Sequence, residues 1–295
     1  MSDELVSALL PDSDIRIVVA TTTALCRHAR QTASLLPASA ELLAHGLTGG
    51  ALLGSLQKET SRINVQLECD GPVRGFFIDA DNQGSVRGYV KNRYVEYSGK
   101  PGEFHWRPVL GNSGYLSVLR ELSDGEYYRS SVELSHFDIA RDLENYFKVS
   151  DQVRTWLDLE SVPQGDERLG QVAGVMVQTL PKGDEVVFEA LGKRIHAERA
   201  LFRNLSGADA GGAMVLLKAL VADHRYEVMS RYPLAYSCGC SKDRVLRALV
   251  AMGREELEDM LAKEGRAEVS CQFCTTQYVV TGPEIRDLLE SAMAR

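Results

Sequence analysis

Ser237-Cys238-Gly239-Cys240-Ser241 and Ser270-Cys271-Gln272-Phe273-Cys274-Thr275 place a C-x-C pair and a C-x-x-C pair on either side of residues 241–270. Two close thiol pairs separated in this way can converge on one point as a tetrahedral all-sulfur site. Thiolates without oxygen ligands suit Zn²⁺ better than Mg²⁺ or Ca²⁺. The spacing therefore predicts a zinc site built from Cys238, Cys240, Cys271 and Cys274. Two other readings use the same residues. One is ordinary buried thiols, since free cysteine is among the most buried residue types. The other is an iron–sulfur cluster, whose usual spacings C-x₂-C-x₂-C and C-x₄-C-x₂-C do not occur here.

Around these pairs the sequence reads as a small α/β unit. Val245, Leu246, Leu249 and Val250 form one helical stripe, and Leu257, Met260 and Leu261 form a second that stops at Gly265. Gln277 to Thr281 reads as a strand, and Pro283 opens a last helix bearing Ile285, Leu288 and Leu289. Units below about 70–80 residues have little core and commonly need a metal or disulfides, so the site is expected to staple this one. Residues 237–295 carry eight Lys/Arg and ten Asp/Glu, a balance of −2, and the whole chain has a formal net charge of −8. A zinc ribbon that grips nucleic acid is normally basic, so a nucleic-acid partner is not expected.

The preceding residues alternate between the strand and helix periods. Ile15 to Ala20 is β-rich, and a helix through Arg30 follows Thr23. From Pro37, Leu42, Leu43, Leu47, Leu52, Leu53 and Leu56 recur at helical spacing despite Gly46, Gly49 and Gly50, which predicts a buried helix with close backbone approaches. Ile63, Val65 and Leu67 then alternate with polar residues. Turns at Gly71-Pro72 and Asp81-Asn82-Gln83-Gly84 continue this into a β-meander. A further strand pair, Gly114 to Arg120 and Glu126 to Leu134, is expected around Ser123-Asp124-Gly125. Ser135 with Asp138 resembles a capping box before a helix with Ile139, Ala140, Leu143, Tyr146 and Phe147 on one face. Val153 to Leu159 alternates like a strand, and Gln171 to Leu180 is an apolar run. After Pro181-Lys182-Gly183, the stripe Val187, Phe188, Leu191, Ile195 and Phe202, and then Met214 to Val221 behind Gly211-Gly212, predict two helices. An extended segment from Tyr226 to Tyr236 follows.

With 44% hydrophobic and 25% charged residues among 295, the composition is that of a globular protein. No apolar run is long enough to span a bilayer. Met1-Ser2-Asp3-Glu4-Leu5 lacks the basic start of a secretory signal, so a cytoplasmic location is expected and disulfides are not expected as fixed structure there. Cys26 and Cys69 are read as packing residues. Asp79 to Gly84 resembles the start of a calcium loop, but Val90 stands where the bidentate Glu belongs, and a hairpin turn is the better reading. His28, His45, His105, His136, His196 and His224 are dispersed, and neither a phosphate loop nor a nucleophile elbow is present. No enzymatic activity is expected.

The cysteine pattern, together with Gly71-Pro72-Val73-Arg74-Gly75, Val86-Arg87-Gly88-Tyr89-Val90, Ser150-Asp151-Gln152 and Gln178-Thr179-Leu180-Pro181, resembles the heat shock protein 33 family of redox-regulated bacterial chaperones over nearly the whole chain. Val175 stands where some members have a second glycine. The resemblance implies an α+β fold: an α/β core over residues 1–182, a mainly helical linker over 183–236 and a zinc-binding redox-switch domain over 237–295. It implies one Zn²⁺ per chain in a reduced, inactive form. Oxidation would then pair Cys238 with Cys240 and Cys271 with Cys274, with loss of zinc, partial unfolding and capture of unfolding client proteins. It also implies that the active holdase is a homodimer that needs no ATP and has no membrane partner. Two other classes share the residues and are told apart by simple tests. A nucleic-acid module would bind with strong salt dependence. A thiol oxidoreductase would turn over a disulfide substrate through Cys271 and Cys274.

Overall fold

The computed structural model describes residues 2–57, 61–97, 104–121, 126–164, 167–197 and 212–293. The elements run β1 (Glu4–Leu10), β2 (Ile15–Thr21), α1 (Thr23–Ala33), α2 (Pro37–Gly54), β3 (Arg62–Cys69), β4 (Gly75–Asp81) and β5 (Ser85–Val90). After these come α3 (Arg107–Leu110), β6 (Gly114–Glu121), β7 (Tyr127–Glu133), α4 (Ile139–Tyr146), a π-turn over Phe147–Asp151, β8 (Thr155–Gln164) and β9 (Glu167–Thr179). The chain continues with α5 (Glu185–Ala197), α6 (Gly212–Val221), β10 (Glu227–Pro233), β11 (Ala235–Tyr236), α7 (Lys242–Met252), α8 (Arg254–Lys263), β12 (Arg266–Ser270), β13 (Gln277–Thr281) and α9 (Gly282–Met293). The expected turn at Ser123-Asp124-Gly125, the expected helical position Phe202 and Gly211 lie outside the described residues. Two compact units result, Met1–Ser237 and Cys238–Arg295.

The first unit is built on two sheets, ordered β10-β1-β2-β9-β8 and β11-β5-β4-β3-β6-β7, with α2 between them. As its all-round apolar sequence predicts, α2 is buried along nearly its whole length. The glycines allow this. A Cβ on Gly50 would sit 2.5 Å from Cγ2 of Ile78 on β4, and one on Gly174 of β9 would sit 2.7 Å from Cγ2 of Thr48 on α2. The helix thereby touches both sheets at backbone range.

The five-stranded sheet is buried on both faces, which explains why β2 and β9 are almost continuously apolar. Pairing aligns Val6, Val19 and Val175 in one row and Ala8, Ile17 and Val177 in the next. These rows face a second hydrophobic cluster formed with Phe188, Leu191 and Ile195 of α5 and Ala213, Leu216, Leu217, Leu220 and Val221 of α6. The opposite rows, such as Leu5, Ala20 and Gly174, face α2. Val175 therefore points toward α5 and α6, and Gly174 toward α2.

Residues 183–236 supply α5 and α6 as well as two strands. β10 extends the five-stranded sheet beside β1, and β11 pairs in parallel with β5. Helix α5 is held at both ends. Arg154 forms ion pairs with Glu185 and Glu189, and its guanidinium lies 4.9 Å from the Phe188 ring centroid. Further along, Nε2 of His196 is 3.2 Å from Nη1 of Arg141, and the His196 ring meets Trp156 edge-on at 5.3 Å.

One local expectation is corrected. Ser135 does not cap α4. Asp138 does, accepting the Arg141 N–H at 3.0 Å. The backbone N–H groups of Ser135, His136 and Asp138 instead donate to the fully buried carboxylate of Asp142. The buried acid needs these donors more than the helix end needs a second cap, so the helix starts later. Asp79 to Gly84 forms the expected hairpin turn, with Asp81 accepting from the N–H groups of Gln83 and Ser85 and Gly84 at φ 93°. Cys26 is buried on α1, and burial pushes its thiol well above the usual range, as a packing residue requires. Cys69 is the last residue of β3 and is half-buried.

Candidate metal centre

The second unit contains the three helices and the strand Gln277–Thr281 that periodicity predicts, and adds a strand, Arg266–Ser270, that periodicity does not mark. β12 and β13 pair antiparallel from Arg266↔Thr281 to Ser270↔Gln277, and α7, α8 and α9 pack on them. Ser241 caps α7 by accepting the Arg244 N–H, and Gly265, at φ 68°, ends α8. The core is small: Leu249, Leu257, Ala267, Val280 and Ile285 are the buried members of its cluster.

Each cysteine pair sits where the chain reverses beside this core. Cys238 and Cys240 lie immediately before the capped start of α7. Cys271 and Cys274 occupy the turn joining β12 to β13. There the Cys271 N–H donates to Thr276 O, the Thr275 N–H donates to Cys271 O, and Thr275 takes φ 58°. All four sulfurs lie within 4.8 Å of one another. Sγ of Cys238 is 3.7 Å from that of Cys271, and Sγ of Cys240 is 3.3 Å from that of Cys274. These are non-bonded distances, since a disulfide holds its sulfurs about 2.05 Å apart. A tetrahedron with Zn–S bonds of about 2.3 Å has edges of about 3.8 Å, so the four thiols are spaced for one such ion.

Sequence spacing finds the four sulfurs but misses the groups around them. The Tyr278 hydroxyl donates to Sγ of Cys240 at 3.1 Å, and Oγ1 of Thr276 lies 3.2 Å from Sγ of Cys274. Tyr278 and Thr276 reach the site through the fold of the β12–β13 turn. No residue-type rule marks them in advance.

The protonation of the cluster also fits a cation site. Burial, with hydrogen bonds from neighbouring thiols, pushes Cys238 up to about 12 against a backbone hydrogen bond from Cys240. Burial likewise raises Cys271, against hydrogen bonds from the backbone of Cys274 and Phe273. At Cys274 burial is outweighed by hydrogen bonds from Thr276 and from its thiol neighbours, and the value falls to about 6. The hydrogen bond to Cys240 holds Tyr278 up at about 12. Cys274 thus takes a negative charge readily, while Cys238 and Cys271 resist the next. A divalent cation removes that resistance, and the all-sulfur donor set is the one zinc favours.

Among the described residues no helix is long and apolar enough to cross a membrane. The six histidines do not join the cysteine cluster.

Comparison with known proteins agrees with this architecture. The profile of the Hsp33 protein family matches residues 3–281. A 33 kDa chaperonin of Geobacter sp. strain M21 is 33% identical over 95% of this chain and 94% of its own length. One from Listeria monocytogenes is 29% identical over 99% of this chain and 100% of its own. The crystal structure of the 33 kDa chaperonin (heat shock protein 33 homolog) of Thermotoga maritima superposes with a TM-score of 0.88 at 26% identity, covering 100% of both chains. The resemblance read from the cysteine pairs and the glycine-rich strand segments thus extends across both units, and the chain belongs to the Hsp33 protein family.

Proposed function

We propose that this chain is a redox-regulated, ATP-independent holdase chaperone of the cytoplasm. One Zn²⁺ per chain, held by Cys238, Cys240, Cys271 and Cys274, would supply a structural staple to residues 237–295. Such staples contribute about 10–16 kcal/mol of apparent binding energy in small domains, and that energy is largely folding energy. A core of five buried side chains gives the unit little to stand on without it.

Oxidation removes the ligands. In each pair, one thiolate sulfur attacks a peroxide oxygen and becomes a sulfenic acid. The second thiol then displaces water to form the disulfide. Overall, two thiols and one H₂O₂ give one disulfide and two waters, with two electrons passing to the peroxide. The pairs are Cys238 with Cys240 and Cys271 with Cys274, as the family resemblance implies. The disulfide sulfurs carry no charge for a cation, so the unit loses its staple and unfolds.

The observation that carries the reading is the doubly buried sheet. Its outer rows, Val6-Val19-Val175 and Ala8-Ile17-Val177, are covered by α5 and α6, which belong to the segment leading into the cysteine unit. Undocking that segment (residues 183–236) from the core (residues 1–182) uncovers a continuous apolar face of the kind that captures unfolding proteins. The active form is a homodimer.

The test is peptide mapping alongside aggregation of a thermally unfolding client, without ATP, for the reduced zinc-loaded chain and the peroxide-treated chain. The reading requires both local disulfides and suppression of aggregation in the oxidised sample alone. Equal suppression in both, or a mapped Cys238–Cys271 pair, contradicts it.

A further inference from the structure

The two sheets treat their edges differently, and the difference marks an interaction surface. A strand edge with unpaired N–H and C=O groups is a template for another strand, and proteins normally blunt it. Edge strand β8 donates its Leu157 N–H to Glu144 at 2.7 Å, contains Pro163, and has a register shift between Val162 and Gln164. Edge strand β10 is shifted opposite Ser7/Ala8 and ends in Pro233. Edge strand β11 spans only Ala235–Tyr236.

Strand β7 has none of these devices. Its sequence, Tyr127-Tyr128-Arg129-Ser130-Ser131-Val132-Glu133, has no proline or lysine, and it pairs with β6 without a shift from Tyr115↔Glu133 to Glu121↔Tyr127. Among the described residues no strand pairs with its other edge. Tyr127 and Tyr128 stand 65% and 51% exposed beside it.

Backbone direction and charge together say what fits. The Leu134 N–H donates to Gly114 O at 2.9 Å, so by strand alternation Val132, Ser130 and Tyr128 face β6. Tyr127, Arg129, Ser131 and Glu133 therefore direct their N–H and C=O groups outward. A second β7 laid antiparallel about a twofold axis at Ser131 sets these outward residues against each other, Ser131 opposite Ser131 and Arg129 opposite Glu133. On that face Arg129 donates to Ser117 Oγ at 3.4 Å and lies near enough to Glu68 to help Lys91 lower its carboxyl, and Glu133 accepts from Tyr115 Oη at 3.5 Å. On the other face, Tyr128 comes opposite Leu134. Axes at Ser130 or Val132 leave Arg129 and Glu133 without opposite charges across the pair, one at Arg129 opposes two arginines and one at Glu133 two glutamates, so the Ser131 register is the one that pairs opposite charges.

The geometry points to β7 as the surface through which two copies of this chain pair, joining their six-stranded sheets into one. This deepens the proposed function by naming where the dimer forms, and it rests on that reading for the dimer itself.

The test is sedimentation of the full-length chain, reduced and oxidised, as wild type, Arg129→Glu, Glu133→Arg, the double variant, and an equimolar mixture of the two single variants. Each single reversal turns two opposite-charge pairs into like-charge pairs and raises the dimer Kd by roughly 10- to 100-fold. The double variant restores the pairs with their signs exchanged, and the mixture forms heterodimers, so both return to within about threefold of wild type. A wild-type dimer indifferent to both reversals overturns the β7 surface and leaves the dimer reading intact. A chain that stays monomeric in both redox states overturns the dimer reading and this surface together.

Discussion

Phe188→Ala isolates the step by which, on the proposed function, the cysteine unit is coupled to client capture. Phe188 is 2% exposed, lies 6.1 Å from Trp156 between ring centroids, and is covered by the Arg154 guanidinium. It belongs to α5, whose apolar side faces the outer rows of the five-stranded sheet. Truncating a buried Phe to Ala costs about 3–5 kcal/mol. These contacts are lost when α5 undocks, whether or not the rest of the unit unfolds. The undocked population should then rise by about two to three and a half orders of magnitude, at about 1.4 kcal/mol per tenfold. Hydrogen–deuterium exchange of the reduced, zinc-loaded protein reads this directly. Amides of 185–197 should lose protection by that factor while those of β3 keep theirs, and the reduced variant should suppress client aggregation without oxidant. If α5 and β3 lose protection in parallel, the helix is no independent cover and the coupling argument fails.

Three further outcomes follow from the same structure. Cys271→Ser should lower zinc stoichiometry and leave residues 238–295 poorly protected from proteolysis while the core, residues 1–182, stays folded; wild-type zinc content in that variant contradicts the ligand assignment. Gly50→Ala should destabilise by about 1–3 kcal/mol despite the better helix propensity of Ala, because the added methyl would sit 2.5 Å from Cγ2 of Ile78. Adding Ile78→Ala should remove that penalty, and an unaltered denaturation midpoint for Gly50→Ala alone would refute it. Finally, burial lowers His45 to about 4, and burial with Arg141 lowers His196 to about 4, both from 6.5. Between those values the unfolded chain takes up protons that the folded chain refuses, so their contribution is complete above pH 6.5 and is lost as pH falls toward 4. Asp3, raised by burial from 3.8 to about 6, opposes the trend, because its folded form is protonated first as pH falls through that window. Thermal melts from pH 7.5 to 4.5 should therefore fall less steeply for His196→Gln than for wild type, and identical slopes would contradict the His196 environment.

The candidate metal centre was legible because its four sulfurs are a rare residue type at fixed spacing: Cys238, Cys240, Cys271 and Cys274 announce themselves. Tyr278 and Thr276 do not, since their roles depend on how the β12–β13 turn folds back on the sulfurs. Periodicity located α2 and the meander, where one pattern dominates. It could not say that the near-continuous apolar runs of β2 and β9 serve two different partners, α2 on one side and α5 with α6 on the other. At α4 the capping pattern pointed to Ser135, but the buried Asp142 claims that segment's N–H groups, a demand visible only once burial is known. Family resemblance supplied the redox pairing, which the sulfur distances do not select, because the two recorded close contacts run between the pairs.

The most direct measurement follows zinc and activity together. Reduced, zinc-loaded protein is treated with peroxide at elevated temperature, released zinc is read with a colorimetric chelator, and suppression of client aggregation is recorded in the same samples. The account predicts that about one zinc per chain leaves as holdase activity rises, and that reductant with added zinc reverses both. Activity that rises with zinc still bound, or zinc that leaves without activity, would contradict it.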